Sequence, residues 1–237
     1  MNNIKIEMKE RHADVFLCNE KIGTISFERN PLHNQNIYLD LQFKYFDLDI
    51  SKRVFAVFRE NVKAPLQIML PSAEQEMVAF IKVAGFVCKR KCYEVEVGVF
   101  DYVGRTVEYP MACAMAGQVI YEQCCDRMLK RYILTHKDIN PWTGTQDDFR
   151  RQLPRMVYYD ANEDEIRNFA FLEDNEIAYV FGTDVEEFGR FAEGLLTELF
   201  REFECVTFEA DDCDEYAMKL RGLFVNQPDE SYDTYVL

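Results

Sequence analysis

The sequence predicts an α/β (α+β) fold used twice in one chain of 237 residues, and two observations predict it. The first is a repeat about 138 residues apart. Leu66–Leu70, a helical stretch ending Ala84-Gly85-Phe86 and the run Cys92-Tyr93-Glu94-Val95-Glu96-Val97 are echoed by Cys205–Glu209, a helix ending Gly222-Leu223-Phe224, and Tyr232-Asp233-Thr234-Tyr235-Val236. Each copy closes on a strand that opens with Tyr and an acid. Two copies are too few for a solenoid, so they read as two domains of one fold. The second observation is composition: with 48% hydrophobic and 14% aromatic residues, each half can bury a core without staples. The expected division is a domain over 1–98, a junction over 99–112 and a domain over 113–237.

The first half opens with strand patterns at 4–8, 15–17, 24–27 and 37–43. Lys21-Ile22-Gly23 reads as a tight link and Asn30-Pro31 as a break. A helix from about Ser51 places Val54, Phe55, Phe58 and Val62 on one face, and Pro65 stops it. A strand at 66–70, a helix at 74–84 and a strand pair at 87–99 follow. In the second half a helical run over 114–134 aligns Ile120, Cys124, Met128 and Tyr132. Thr145-Gln146-Asp147-Asp148 reads as a capping box, because the threonine hydroxyl can accept from amides at a helix start. Strands at 155–159, 167–173 and 176–182, a helix at 186–202, a strand at 205–209, a helix at 213–222 and the closing strand complete an order of α-α-β-β-β-α-β-α-β.

Charge is divided unevenly. Residues 1–98 carry 14 basic and 13 acidic side chains, whereas 99–237 carry 13 basic and 29 acidic. Nucleic acid and anionic membranes are therefore excluded as expected partners of the second half, since binding to phosphates depends on basic residues. The acidity either steers a cationic partner or serves solubility. The eight cysteines form no C-x-x-C pair, which points to free thiols in a reducing cytoplasm and to no metal site. No apolar run has the length of a membrane span.

A strand, a helix ending in a Gly-Phe turn and a final strand resemble the last segment of the GCN5-related N-acetyltransferases (GNAT). Ala79–Phe86 with Tyr93–Val97 is similar to it, and so is Ala217–Phe224 with Tyr232–Val236, although Leu223 separates Gly222 from Phe224. The resemblance implies two tandem GNAT-like domains, each a mixed, mainly antiparallel sheet flanked by helices, with the first lacking the two opening helices. It also implies acetyl-CoA as cofactor, bound at the turn between the fourth strand and the next helix.

That turn follows Phe43 in the first half and Phe181 in the second. Phe181 and Gly182 are the cofactor candidates of the second half, where Gly189 lies one position early for the family's glycine loop and Glu187 opposes phosphate. The first half has no glycine there, but Lys52 and Arg53 offer charge. The family's tyrosine acid falls on Ile81 and Lys219, so Tyr216, nearly one turn earlier, is the candidate hydroxyl, or else a packed aromatic. Glu176 and Asp40 are candidate bases on the fourth strands, or else strand-end charges. Asp211, Asp212 and Glu215, in the densest acidic run of the chain, are candidate substrate contacts or helix caps. Trp142 lies in the loop that the resemblance sets beside the acceptor, with packing as its other role. Two functions are expected to compete. One is acetyl transfer from CoA to a small amine or basic peptide; the other is a catalytically silent tandem that binds a cation.

Overall fold

The computed structural model describes residues 4–162 and 165–237. The chain forms two compact units, one of Met1–Lys91, His136–Gly144 and Tyr232–Leu237, the other of Cys92–Thr135 and Thr145–Ser231. The units are therefore not contiguous stretches of sequence, and the expected linear division at 99–112 does not coincide with them.

Unit 1 begins with an antiparallel meander of β1 (Ile4–Met8), β2 (His12–Leu17), β3 (Glu20–Asn30) and β4 (His33–Phe43). The β2–β3 turn is made by Cys18 and Asn19, both at positive φ, which suits the twist of a two-residue hairpin. The link expected at Lys21-Ile22-Gly23 instead lies inside β3. There Gly23 serves close packing, since a β-carbon would sit 2.6 Å from the Phe43 ring. Helix α1 (Leu48–Val62) follows, then β5 (Leu66–Pro71) and α2 (Gln75–Ala84). β4 and β5 run parallel but pair only at Ile37–Leu66 and Tyr38–Gln67, and beyond these residues no β4–β5 pair continues. Gly85, at φ 105°, ends α2 in the left-handed conformation glycine tolerates, which turns Phe86 back onto Phe55 at a ring separation of 4.9 Å. Val54, Phe55, Phe58, Phe80 and Ile81 bury one face of the sheet, each contributing roughly 1.5–3 kcal/mol.

Unit 2 repeats this plan. β7 (Ala112–Met115) leads into α3 (Val119–His136) and the short α4 (Gln146–Arg150), which Thr145 and Asp148 cap reciprocally. The helical run expected from 114 thus begins as a strand, because Ala112–Met115 pairs with β8 (Met156–Asn162) before Gly117 turns the chain. β8, β9 (Glu165–Glu173) and β10 (Glu176–Phe181) complete the meander. Then come α5 (Val185–Glu202), β11 (Cys205–Asp211) and α6 (Glu215–Arg221). β10 and β11 are parallel and pair only at Glu176–Thr207 and Ile177–Phe208. Phe188, Phe191, Leu195, Leu196, Tyr216 and Leu220 cover one face. On the other, Tyr121 of α3 packs on Phe171 and Phe149 of α4 on Tyr179.

The closing strands are exchanged. The strand pair expected at 87–99 is a single strand, β6 (Val87–Gly98), whose Cys92–Gly98 portion pairs antiparallel with β11 in unit 2. β12 (Tyr232–Val236) pairs antiparallel with β5 in unit 1. Each repeat therefore supplies the strand that completes the other repeat's sheet.

Candidate functional site: an acidic groove in unit 2

Strand alternation decides which side chains face the helices and which face outward. Around the parallel β10–β11 pair, Val95, Val97, Ile177, Val206 and Phe208 point into the core with α5 and α6. Glu94 and Glu96 of β6, Thr207 and Glu209 of β11, and Glu176 of β10 take the opposite face; the register sets Glu94 against Glu209 and Thr207 against both Glu96 and Glu176. They line a groove of about 430 Å³.

A bulge after Ile177 shifts the β9–β10 register, so that Tyr179 rather than Ala178 is Phe171's partner and emerges on the side of Glu176. Burial raises the Tyr179 phenol above its usual pKa, and the carboxylates of Glu209, Glu176 and Asp211 raise it further. Cys92 donates to Glu209 Oε2 at 3.7 Å. Among the described residues, Glu94, Glu96, Glu176 and Glu209 make no ion pair with lysine or arginine, and no His, Cys, Asp and Glu group there has the geometry of a metal site. Unpaired carboxylates spread along three strands suit an extended organic cation better than a chelated ion.

The acidic run 209–215 divides by role. Glu209 enters the groove, and Asp211 lies close enough to act on Tyr179. Asp214 caps α6, accepting from Tyr216 N at 2.9 Å and from Arg131 Nη2 at 2.8 Å. Asp212 is exposed, and exposed Glu215 lies 3.9 Å from Arg131.

The remaining candidates stand at the two forks, where the family resemblance locates acetyl-CoA. In unit 2 the α5 N-terminus is closed by its own chain: Asp184 accepts from the amides of Glu186 and Glu187, both at 2.9 Å, and so takes the donors a pyrophosphate would need. The stem of Lys219 crosses Gly189 so closely that a β-carbon there would lie 2.6 Å from Cε, and its ammonium bonds Glu186 at 2.9 Å. Tyr216 is 5% exposed and lies against Gly182, with Arg131 stacked on its ring at 4.4 Å. Phe181 stacks on Phe169 at 4.7 Å. In unit 1, Phe43, Phe46 and Phe80 pack together after the fork, Asp47 caps α1, and the helix starts three residues earlier than expected. Lys52 and Arg53 consequently sit in its second turn, both exposed. Neither fork fits the cofactor as these side chains stand.

Trp142 belongs to unit 1, where it packs edge-on against His33 at 5.3 Å, apart from Asp211, Asp212 and Glu215 in chain and unit. Burial pushes the Cys124 thiol up to about 12 and the Cys125 thiol up to about 11, which removes both as nucleophiles. None of the eight cysteines forms a disulfide. No helix among the described residues is long and apolar enough to cross a membrane.

Glu94 and Glu96 are absent from the sequence candidates because their partners across the groove are supplied by the other repeat. Tyr179 is absent because a bulge decides its face. A signal for the first existed in the strict Glu-x-Glu alternation, which exposes one face of a strand.

No family model matches the chain, and no curated protein matches it in sequence. Among solved structures it is similar to a GCN5-related N-acetyltransferase from Sphaerobacter thermophilus, with a TM-score of 0.51 and 10% identity, over 98% of this chain and 81% of the other. A GCN5-related N-acetyltransferase from Kribbella flavida (TM-score 0.49, 10% identity, 98% and 89% covered) and a tandem GNAT protein from the clavulanic acid biosynthesis pathway (0.47, 9%, 95% and 82%) are also similar. At such identity the likeness is one of fold. With two units of one strand order, each forked between a parallel pair, the chain has the GCN5-related N-acetyltransferase fold in tandem.

Proposed function

We propose that the chain binds an organic amine, a polyamine or a lysine side chain, in the groove of unit 2. The observation that carries this reading is the convergence of Glu94, Glu96, Glu176 and Glu209 on one sheet face, none of them ion-paired with a lysine or arginine among the described residues. An ammonium there replaces part of its lost hydration with carboxylate oxygens, and methylenes of the same ligand lie over Thr207 and Pro228. The module is silent toward acetyl-CoA in this arrangement, because Asp184, Tyr216 and Lys219 fill the place of the cofactor.

A second reading, N-acetyl transfer to the bound amine, is supported by the β10 bulge and by the fold. Glu176 would accept the ammonium proton, and the Tyr179 phenol, held protonated, would be the neighbouring acid. This reading requires Lys219 to leave Glu186 and Tyr216 to leave Gly182. Localisation in the cytoplasm is part of both readings.

Titration calorimetry with spermidine and with acetyl-CoA at low salt, and mass spectrometry of the mixture, tests the pair. Spermidine binding that weakens with salt, no acetyl-CoA heat and no acetylated product is the expected result. Failure of spermidine and of lysine-rich peptides to bind overturns the amine site, and acetylated spermidine replaces the silent reading with the catalytic one.

A further inference from the structure

We propose that the chain associates with itself head to tail, the apolar knob around Phe100 of one copy seating in the pocket at the C-terminal end of α1 in the next. The knob belongs to unit 2 and the pocket to unit 1. Because the two surfaces differ, each copy offers one of each, and the contact is heterologous.

The knob forms where β6 runs out. A single 3-10 turn over Val99–Asp101 follows Gly98, and the Asp101 carboxylate holds it by accepting from Gly98 N at 3.2 Å and from Asn226 Nδ2 at 3.1 Å. The Asp101 carbonyl accepts from Val225 N at 2.8 Å, and Val103 N donates to the Leu223 carbonyl at 2.9 Å. Tyr102 turns inward onto Phe200 and Phe224, at ring separations of 5.9 and 5.7 Å. With the backbone tied on both sides, Phe100 is left 98% exposed, and Val99, Val103 and Val225 beside it are exposed too. Single apolar side chains on a surface are ordinary, but a cluster on one fixed turn is a patch of the kind that marks a contact. Its order also lowers the entropy lost on binding.

The pocket has the opposite shape and charge. Lys63, at φ 48°, ends α1 in the left-handed conformation with its N–H donating to the Arg59 carbonyl at 3.1 Å, and Ala64-Pro65 carries the chain on into β5. The small side chains of Ala56 and Ala64 leave a hollow of about 710 Å³ floored by Pro65, Val236 and Leu237, ample for one benzyl group. Arg59 and Lys63 stand at its rim and make no ion pair among the described residues; Glu60, also there, offsets one of their two charges. The knob is flanked by Asp101 and by Glu204, whose carbonyl accepts from Val99 N at 3.3 Å, and neither carboxylate is ion-paired among the described residues. Seating Phe100 in the hollow therefore brings acids to a basic rim. Both halves of this complementary contact lie on one chain, which makes a second copy the occupant.

Sedimentation velocity of the full chain from about 1 to about 200 µM tests the contact. The mass is expected to rise with concentration above the monomer's 28.0 kDa, and to rise less as salt goes from about 50 to about 500 mM, because the flanking charges are exposed. Phe100→Ser and Lys63→Glu are each expected to weaken association about tenfold or more, with thermal stability unchanged since both side chains are exposed. Phe100→Ser keeps its pocket and Lys63→Glu keeps its knob. An equimolar mixture of the two is therefore expected to form a dimer of twice the monomer mass and nothing larger. A wild-type chain still monomeric at about 200 µM and low salt overturns the proposal. So does association that either variant leaves intact, and so does a mixture that stays monomeric under conditions in which the wild type associates.

Discussion

The outward position beside the parallel strand pair carries opposite chemistry in the two units. In unit 1 it is Tyr38 opposite Gln67, neutral, tied into hydrogen bonds and covered by His136–Gly144. In unit 2 it is Glu176 opposite Thr207, flanked by Glu94, Glu96 and Glu209 and open to solvent. The inward positions barely differ, since Ile37 with Leu66 in one unit and Ile177 with Phe208 in the other are all core. Core residues at a fork are held by packing, whereas the outward residues are constrained only by what covers them. The two units therefore share a scaffold while their exposed faces differ. The helix ends differ in the same spirit: Gly85 must be glycine because its φ is positive, while Gly222 ends α6 at an ordinary helical φ of −64°.

The largest effect that can break the comparison concerns the exchanged strands. Tyr235 lies in the second repeat but is 1% exposed in the core of unit 1. Tyr235→Ala should cost about 3–5 kcal/mol and first remove hydrogen-exchange protection from β1–β5. Protection lost first in α5, β10 and β11 would contradict the exchange. The mirror change, Val97→Ala in the first repeat, should cost roughly 1.5–3 kcal/mol and act on unit 2.

Smaller effects sharpen the contrast between the outward faces. Glu176→Gln and Glu209→Gln should each weaken spermidine binding by up to about fivefold and flatten its salt dependence, since an exposed charge pair contributes at most about 1 kcal/mol. Asp40→Asn in unit 1 should leave that binding unchanged, and an equal loss in calorimetry would move the site. Asp214→Ala should lower stability by about 1 kcal/mol through loss of the α6 cap, with spermidine affinity retained. Lys52→Glu, on the exposed second turn of α1, should change thermal stability by less than about 0.5 kcal/mol and leave spermidine affinity alone.

Much of the scaffold is legible in the residues themselves. Alternation in Ile37–Phe43, the apolar stripe Val54, Phe55 and Phe58, the Thr145 capping box and the Gly85-Phe86 turn are local signals, and each element formed where its own side chains require it. Ala112–Met115 was not legible as a strand, because four residues carry too little pattern to outweigh the apolar helix that follows. Glu176 could be nominated from its place on the fourth strand. Its companions could not, since Glu94 and Glu96 arrive from the other repeat through strand exchange and Tyr179 through a one-residue bulge. Nor did the sequence show that Trp142, nominated beside the acceptor, packs on His33 within unit 1. The sequence by itself determined most of the order of elements, the use of one fold twice and the acidity of the second half, because propensity, periodicity and charge act over a few residues. Only the tertiary structure decided which strand completes which sheet, which carboxylates share a face, and that Asp184, Tyr216 and Lys219 close the fork of unit 2, because register and packing join residues that are remote in the chain.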